Sequence, residues 1–335
     1  MISISRNYPL KHITTFGVSA NAAGFVEVRS ITELQEVLQQ KQFANIKILG
    51  GGSNMLWTKN YDGLLIHIHS KGVEIVEENN QNVLVAVAAG ESWHDFVLWA
   101  LENDLGGVEN LALIPGSVGA APIQNIGAYG VEIESCFEKC TAVEIASGNI
   151  KTFDKSDCAF GYRNSVFKTT LKDQYAICTV YLKLQKKPHA IRTDYGAIET
   201  ALGNRKPTIQ NIAQAVIEIR SSKLPDPKTL GNCGSFFKNP VVPLHQYKQL
   251  QKRYPSIPHY PVDTTLVKIP AAWLIDTLGF KGHREGDAGV HQNQPLVLVN
   301  YGAAKGHEIY ALAQKIKQAV LENFGITLEE EVNIY

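Results

Sequence analysis

Two glycine-rich segments have residue types suited to binding a phosphate-containing cofactor. The first, Gly50-Gly51-Gly52-Ser53-Asn54, follows a predicted short buried strand at residues 45–49. The second, residues 115–121, repeats this small-residue chemistry as PGSVGAA. Glycines let backbone N–H groups come close to phosphate oxygens. A tight turn explains either segment alone equally well, but the two together predict a pyrophosphate cofactor. Neither matches the GxGxxG fingerprint with its later acidic residue, which disfavours a Rossmann dehydrogenase.

Two polar side chains could act on a bound substrate. Arg163 lies in GYRNSVFK, and a guanidinium can hold a carboxylate through two parallel N–H bonds while neutralising developing charge. The ordinary alternative to this role is that Arg163 forms a surface salt bridge. Ser235 lies between a glycine and two phenylalanines, where a tight backbone can expose its hydroxyl to a ligand. A helix N-cap would also account for this serine.

The C-terminal run at residues 326–335 alternates like a β-strand. This alternation places Glu329 and Glu331 on one face, with Thr327 and Asn333, and Glu330 on the opposite face. Three consecutive glutamates are usually a solvated surface. The pattern alone therefore leaves open whether Glu331 takes part in chemistry.

Histidine and cysteine spacing argues against a metal or a disulfide framework. His283, Asp287 and His291 have the spacing of metal ligands, but intervening glycines break the helix that such a face requires, so we expect no metal. The five cysteines form an odd set without CxxC spacing, which favours reduced thiols. Cys233 has no histidine nearby in sequence, so a packing role is favoured over a nucleophilic one.

Length and composition set the class of protein. The 335 residues predict two or three domains, and 44% hydrophobic with 19% charged residues is typical of a globular chain. Lysine plus arginine equals aspartate plus glutamate at 32 each, so no net field favours nucleic acid or an anionic membrane. The N-terminus lacks an apolar run of signal-peptide length, and no stretch is long enough to span a membrane. We therefore expect a cytoplasmic protein.

Regular elements flank these segments. Apolar periodicity predicts helices at 31–40, 93–103, 211–220, 268–278 and 304–324, the last stopped by Gly325. Strands are predicted at 45–49, 63–69 and 83–89, and residues 136–184 read as antiparallel strands with a hairpin turn at 146–149. Residues 108–132 are poor in charge and rich in glycine, which suits a loop lying against a ligand. The KLPDP segment at 223–227 predicts a domain boundary.

The motifs together carry a specific family resemblance over nearly the whole chain. The chain resembles the UDP-N-acetylenolpyruvoylglucosamine reductases, also called UDP-N-acetylmuramate dehydrogenases. The matching segments are ILGGGSNML (48–56), IPGSVGAAPIQNIGAYGVE (114–132), GYRNSVFK (161–168), KLPDP (223–227), GNCGSFFKNP (231–240), DAGVHQNQPLVLVN (287–300) and LEEEV (328–332).

The resemblance implies an α+β fold. Its two-lobed FAD-binding part is of the vanillyl-alcohol oxidase type, with lobes at 1–68 and 69–221, and an α/β substrate-binding domain follows at 222–335. The last strand of that domain carries a catalytic glutamate. The implied reaction is NADPH-dependent reduction of UDP-N-acetylglucosamine enolpyruvate in peptidoglycan precursor synthesis. FAD is expected to be noncovalent, because the first glycine-rich loop has no histidine to link it.

The resemblance also assigns residues. It implies that Arg163, Ser235 and Glu331 are catalytic, with Ser235 the proton donor. The FAD-binding candidates are Gly50, Gly51, Gly52, Ser53, Asn54, Pro115, Gly116, Ser117, Gly119, Ala120, Ile123 and Gly127. The substrate-binding candidates are Tyr195, Lys223, Asn239, Tyr260 and Gln294, with Lys238 and Lys268 as possible helpers. The insertion that runs through Tyr195 and the stretch 254–260 resemble the family form in which a tyrosine loop closes over the substrate. Tyr195 and Tyr260 are the loop candidates, and the ordinary alternative for each is a core or rim tyrosine.

Two other functions use the same scaffold. A flavin oxidase of a sugar or hydroxy acid would share both glycine-rich loops but would not need Ser235 as an acid. A non-catalytic nucleotide-sugar binding protein would not need Arg163, Ser235 and Glu331 together. We expect a monomer that binds a small nucleotide sugar, with neither nucleic acid nor membrane as partner.

Overall fold

The computed structural model describes residues 2–335. In chain order, its strands are β1 (Ser5–Pro9), β2 (Asn21–Val28), β3 (Ile46–Leu49), β4 (Met55–Leu56), β5 (Tyr61–Ile68), β6 (Val73–Glu78), β7 (Asn82–Ala88), β8 (Gly127–Ala128), β9 (Val131–Glu132), β10 (Phe137–Glu144), β11 (Ile150–Asp154), β12 (Tyr175–Gln185), β13 (Gly231–Ser235), β14 (Val241–Pro243), β15 (Tyr260–Pro261), β16 (Leu266–Lys268), β17 (Arg284–Glu285), β18 (Ala288–Val290), β19 (Val297–Asn300) and β20 (Asn333–Ile334). The α-helices are α1 (Ile31–Gln39), α2 (Trp93–Glu102), α3 (Gly196–Leu202), α4 (Ile209–Lys223), α5 (Leu244–Arg253), α6 (Ala271–Thr277) and α7 (Gly306–Phe324).

The chain divides into two compact units. The first consists of Ala22–Gly52 and Asp62–Ser222, together with the N-terminal segment up to Tyr8. The second consists of Pro9–Asn21, Ser53–Tyr61 and Lys223–Tyr335. Two short segments from the N-terminal part of the chain therefore belong to the same unit as the C-terminal third.

The first unit contains two sheets. One has the order β1-β2-β5-β3, with β3 parallel to β5, and it buries Val26 and Ile66 against Leu34 and Val37 of α1. Helix α1 begins where it does because the Ser30 hydroxyl accepts the Glu33 N–H at 3.1 Å. The other sheet is antiparallel with the order β11-β10-β12-β7-β6. The predicted antiparallel region and its hairpin turn at 146–149 are confirmed.

The second unit is built on the antiparallel sheet β13-β19-β18-β17. Helix α7 packs on β18 and β19, with Ile309, Leu312 and Ile316 fully buried. Gly325 ends this helix in the left-handed region at φ 63°, as the sequence predicts. The C-terminal strand β20 pairs in parallel with β4, with Asn333 opposite Met55 and Ile334 opposite Leu56.

Several predicted elements have different bounds. The helix predicted at 268–278 begins only at Ala271, because Pro270 precedes it and Leu266–Lys268 is a strand. The predicted strand at 326–335 is regular only at Asn333–Ile334. Helices α3 and α5 were not predicted. Helix α5 is difficult to find from apolar spacing because Tyr247 is its one buried residue.

Among the described residues, no helix combines the length and the apolar character that a membrane crossing requires.

Candidate functional site: two residue clusters

The two glycine-rich loops meet in the first unit. An added Cβ at Gly50 would lie 2.3 Å from Ser117 Oγ, and one at Gly51 would lie 2.8 Å from Gly116 Cα. The second loop is fixed by Gly119, whose N–H donates to the Ala89 carbonyl at 2.9 Å and whose Cα leaves no room for a side chain. Because both loops touch through backbone atoms, they form one surface of small residues. This arrangement fits a pyrophosphate held by backbone N–H groups.

A histidine and an arginine hydrogen-bond the backbone of Leu113, just before the second glycine-rich loop. Leu113 has a left-handed φ of 59°. His94 Nδ1 accepts the Leu113 N–H at 3.1 Å, and Arg220 Nε donates to the Leu113 carbonyl at 3.2 Å. Burial lowers the pKa of His94, which keeps its ring neutral and able to accept. Sequence reasoning missed both side chains, because neither lies in a glycine-rich motif.

Arg163 is tightly constrained. Its φ of 53° is in the left-handed region, within a turn closed by reciprocal hydrogen bonds between Gly161 and Asn164. Its guanidinium donates to the Gly127 carbonyl at 2.5 Å, and Nη1 lies 3.8 Å from Glu132 Oε1. The side chain is 18% exposed. Arg163 is therefore presented in one orientation, beside a predicted FAD-binding glycine.

Three further residues, Arg220, Tyr129 and Tyr195, extend this site. We call these three and Arg163 the arginine cluster. Arg220 hydrogen-bonds the Tyr129 hydroxyl, and the Tyr129 ring lies 5.3 Å from the Tyr195 ring at nearly a right angle. Burial lowers the pKa of Arg220, and the charge of Arg163 lowers it further. Burial also raises the pKa of Tyr129, so its hydroxyl stays protonated. Two neighbouring guanidinium groups suit an anionic ligand.

The contact between Gly127 and Arg163 leads to a testable prediction. A Cβ at residue 127 would lie 2.8 Å from Arg163 Nη1 and 2.8 Å from Glu132 Cγ, so Gly127→Ala must displace the guanidinium. We expect substrate turnover to fall by up to about 10²-fold, because a displaced binding group loses alignment. Gly161→Ala is the matched control, since its Cβ would meet only Asn164 Cβ at 3.9 Å. Steady-state kinetics with measured flavin content checks this result. Equal losses in both variants would contradict it.

The segments that carry Ser235 and Glu331 are hydrogen-bonded to each other in the second unit. Ser235 ends β13 opposite Val297, and the preceding Gly234 has φ 75°. The Glu331 N–H donates to the carbonyl of Phe236 at 2.8 Å, one residue beyond Ser235. Burial raises the pKa of Cys233, and the charge of Glu331 raises it further. We call Cys233, Ser235, Glu331 and Asn54 the serine–glutamate cluster. Cys233 is buried, as the packing interpretation predicts.

Asn54 fixes the segment that carries Glu331. Its Nδ2 donates to the Glu331 carbonyl at 3.2 Å, and its own carbonyl accepts the N–H and Nδ2 of Asn333 at 3.2 and 3.0 Å. The end of the first glycine-rich motif thus holds the C-terminus of the chain. Sequence distance hid this link, because the two residues are 277 positions apart.

The neighbouring glutamates point elsewhere. Glu330 accepts from Lys317 Nζ at 2.7 and 2.9 Å and from Gln314 at 3.1 Å, both on α7. Burial acts to raise the pKa of Glu330, but hydrogen bonds and charge from Lys317 leave it below the usual value. Glu329 pairs with Lys238 at 3.1 Å and is 72% exposed. Neither pairing involves Ser235.

The predicted substrate-binding residues fall in both units. In the first, Tyr195 precedes α3 and is 46% exposed. In the second, Lys223 and Tyr260 are exposed, Asn239 Oδ1 accepts the Ala271 N–H at 2.9 Å, and Gln294 Oε1 accepts the Leu296 N–H at 3.4 Å. His283 and Asp287, considered above as metal ligands, are hydrogen-bonded to Glu285 and Arg284 respectively.

Comparisons with known proteins agree with this architecture. An FAD binding domain model matches residues 22–154, and a model described as UDP-N-acetylenolpyruvoylglucosamine reductase, C-terminal domain, matches residues 226–335. A solved structure of the reductase from Thermus caldophilus has a TM-score of 0.72 at 23% identity and covers both chains fully, which supports the fold. The fold and the paired glycine-rich loops thus define an FAD-dependent oxidoreductase, and the expected fold class is confirmed.

The particular family follows from full-length similarity. Proteins named UDP-N-acetylenolpyruvoylglucosamine reductase are 50% identical in Flavobacterium johnsoniae, over 99% of this chain and 100% of that protein, and 45% identical in Pseudomonas putida, over 97% of each. Another, from Amoebophilus asiaticus, is 47% identical over 99% of each. The chain belongs to the UDP-N-acetylenolpyruvoylglucosamine reductase family.

Proposed function

We propose that this protein reduces UDP-N-acetylglucosamine enolpyruvate to UDP-N-acetylmuramate with noncovalent FAD and NADPH, as a step of peptidoglycan precursor synthesis. The observation that supports the proposal is the hydrogen bond from the Glu331 N–H to the Phe236 carbonyl, one residue beyond Ser235. An oxidase of the same fold would not need Ser235 as an acid. The family relationship over the whole chain supports the same substrate.

The residues of the paired loops fit FAD. Gly50, Gly51, Gly116 and Gly119 bring backbone into close contact, and the first loop has no side chain that could link a flavin covalently. We propose that residues 50–54, residues 115–117, Gly119, Ala120, Ile123 and Gly127 hold the cofactor. When bound, FAD supplies hydride transfer from NADPH to the enolpyruvyl double bond.

Side chains of the protein carry out the rest of the reaction. Arg163 binds the enolpyruvyl carboxylate and neutralises the charge that grows on it. Ser235 Oγ donates the proton to the carbon next to the one that receives hydride. Glu331 supplies a carboxyl group that can hold a proton near the developing charge. Tyr195, Lys223, Asn239, Tyr260 and Gln294 bind the nucleotide sugar.

Three further features belong to this proposal. We propose the domain bounds 1–68, 69–221 and 222–335, with the chain acting as a monomer. The use of NADPH and a nucleotide sugar, together with free thiols at all five cysteines, supports a cytoplasmic enzyme. Analytical ultracentrifugation of the FAD-bound protein tests the monomer, and a stable dimer would contradict it.

The cofactor assignment predicts that the purified protein is yellow and carries one FAD per chain. Because no residue of the first loop can link the flavin, acid denaturation should release all of it into the supernatant. Absorbance spectra and mass spectrometry of the released flavin check this. Colour that stays with the precipitated chain would contradict noncovalent binding.

The reaction is tested by anaerobic NADPH oxidation. Oxidation should depend on the enolpyruvyl sugar and yield one UDP-N-acetylmuramate per NADPH. Electron transfer to oxygen without a requirement for the sugar would instead identify an oxidase.

A further inference from the structure

Two histidines and a glutamate form a group on the sheet of the first unit that the proposed reaction does not use. His67 lies on β5, His69 follows that strand, and Glu27 lies on the neighbouring strand β2. One possible ligand atom from each residue lies within 4.8 Å of the other two. Among the described residues, this is the one group of three or more metal-ligand side chains with that spacing.

The position of the three side chains follows from strand geometry. Residues two apart on a strand point to the same side, so His67 and His69 share a face. The His69 N–H donates to the Val28 carbonyl at 2.8 Å, which places β2 alongside and brings Glu27 next to the histidines. His67 Nδ1 lies 3.6 Å from Glu27 Oε2, and the two imidazole rings are 5.5 Å apart.

We infer that Glu27, His67 and His69 form a binding site for a divalent transition-metal cation, of which Zn²⁺ is the best match. Two imidazoles and one carboxylate suit Zn²⁺, whereas Mg²⁺ and Ca²⁺ prefer oxygen ligands alone. Zinc–ligand bonds of about 2.0–2.2 Å place tetrahedral ligand atoms roughly 3.3–3.6 Å apart. Ligand atoms within 4.8 Å of one another need to approach by no more than about 1.5 Å to reach that spacing. The fourth position is left to water.

The surroundings allow a cation to enter. All three residues are partly exposed, with 20% of the His67 side chain and 33% of the Glu27 side chain accessible. Two basic side chains, Lys71 and Arg29, lie nearby. Lys71 Nζ is occupied by the Gly90 carbonyl at 2.7 Å and the Glu91 carboxylate at 3.3 Å.

Arg29 competes with the cation for Glu27. Arg29 Nη2 lies 2.8 Å from Glu27 Oε1, but its side chain is 71% exposed and can move into solvent. Metal binding must therefore displace or weaken this ion pair. Removing Arg29 should strengthen the site, which is an effect that simple loss of structure cannot produce.

The test is a Zn²⁺ titration of the full-length, tag-free, FAD-bound protein after chelator treatment, with a competing colorimetric chelator as readout. We expect one equivalent to bind. His67→Ala and His69→Ala should each weaken binding at least tenfold, since even outer-shell substitutions at metal sites cost 10–100-fold. Arg29→Ala should tighten it. Millimolar Mg²⁺ should not compete.

Controls separate this site from non-specific binding. His307 is exposed on α7 of the other unit, so His307→Ala should leave zinc affinity unchanged. Flavin absorbance confirms that each variant is folded. The inference is wrong if no equivalent binds, if His307→Ala weakens binding as much as His67→Ala, or if Arg29→Ala leaves the affinity unchanged.

Discussion

Replacing Ser235 by alanine should slow reduction of the enolpyruvyl sugar on the order of 10²–10⁴-fold while leaving flavin reduction by NADPH nearly intact. The reason is that only the second half-reaction needs a proton donor. Ser235 ends β13, next to Phe236, whose carbonyl accepts the Glu331 N–H at 2.8 Å. Removing one hydroxyl there leaves the backbone pairing of the C-terminal segment in place. Stopped-flow absorbance of the flavin measures the two half-reactions separately.

Two further variants test this interpretation. Ser235→Cys keeps a weak donor at the same position and should recover part of the lost rate. Ser256→Ala removes a hydroxyl from an exposed residue of the same unit and should resemble the parent. Equal slowing of both half-reactions in Ser235→Ala would point to a folding or cofactor defect and contradict the proton-donor assignment.

Glu331→Gln should lower turnover of the enolpyruvyl sugar by about 10²-fold or more, because it keeps the shape but removes the charge and the titration. The protein should still fold and bind FAD. The hydrogen bonds that hold this segment use the backbone N–H and carbonyl of Glu331, so the substitution does not disturb them. Steady-state kinetics and flavin content, measured on the same preparation, check both parts of this prediction.

The adjacent glutamates supply matched controls. Glu330→Gln weakens the interaction with Lys317 and should lower the melting temperature slightly, with turnover near that of the parent. Glu329→Gln loses an exposed pair with Lys238 and should have little effect on stability. If Glu330→Gln abolishes turnover while Glu331→Gln behaves like the parent, the catalytic assignment at this end of the chain is wrong by one residue.

The C-terminal segment shows how a correct local expectation can have a different structural basis. Strand alternation predicts that Glu330 faces away from Glu331, and Glu330 does turn toward Lys317 on α7. Yet the regular strand covers only Asn333–Ile334. Glu331 is held by individual bonds to Phe236 and Asn54 rather than by a continuous ladder. Alternation could not predict this, because the partners come from distant parts of the chain.

The sequence by itself determined the family, the cofactor class and the residues proposed for chemistry. These features are encoded in short contiguous motifs, and glycine, serine and arginine in such motifs restrict the backbone locally. The predicted bounds of helices α1, α2 and α7 agree with the structure to within two residues for the same reason, since apolar periodicity and caps are local signals.

Only the tertiary structure decided which distant residues meet. It placed Asn54 against the segment of Glu331, brought Arg220 to Tyr129 and Leu113, and set Glu27 beside His67. Each contact joins separate segments of the chain, and its energy depends on burial and on the complete set of neighbours. A side chain such as Arg220 has no local signal of its role, because the same residue on a solvated helix would read identically in the sequence.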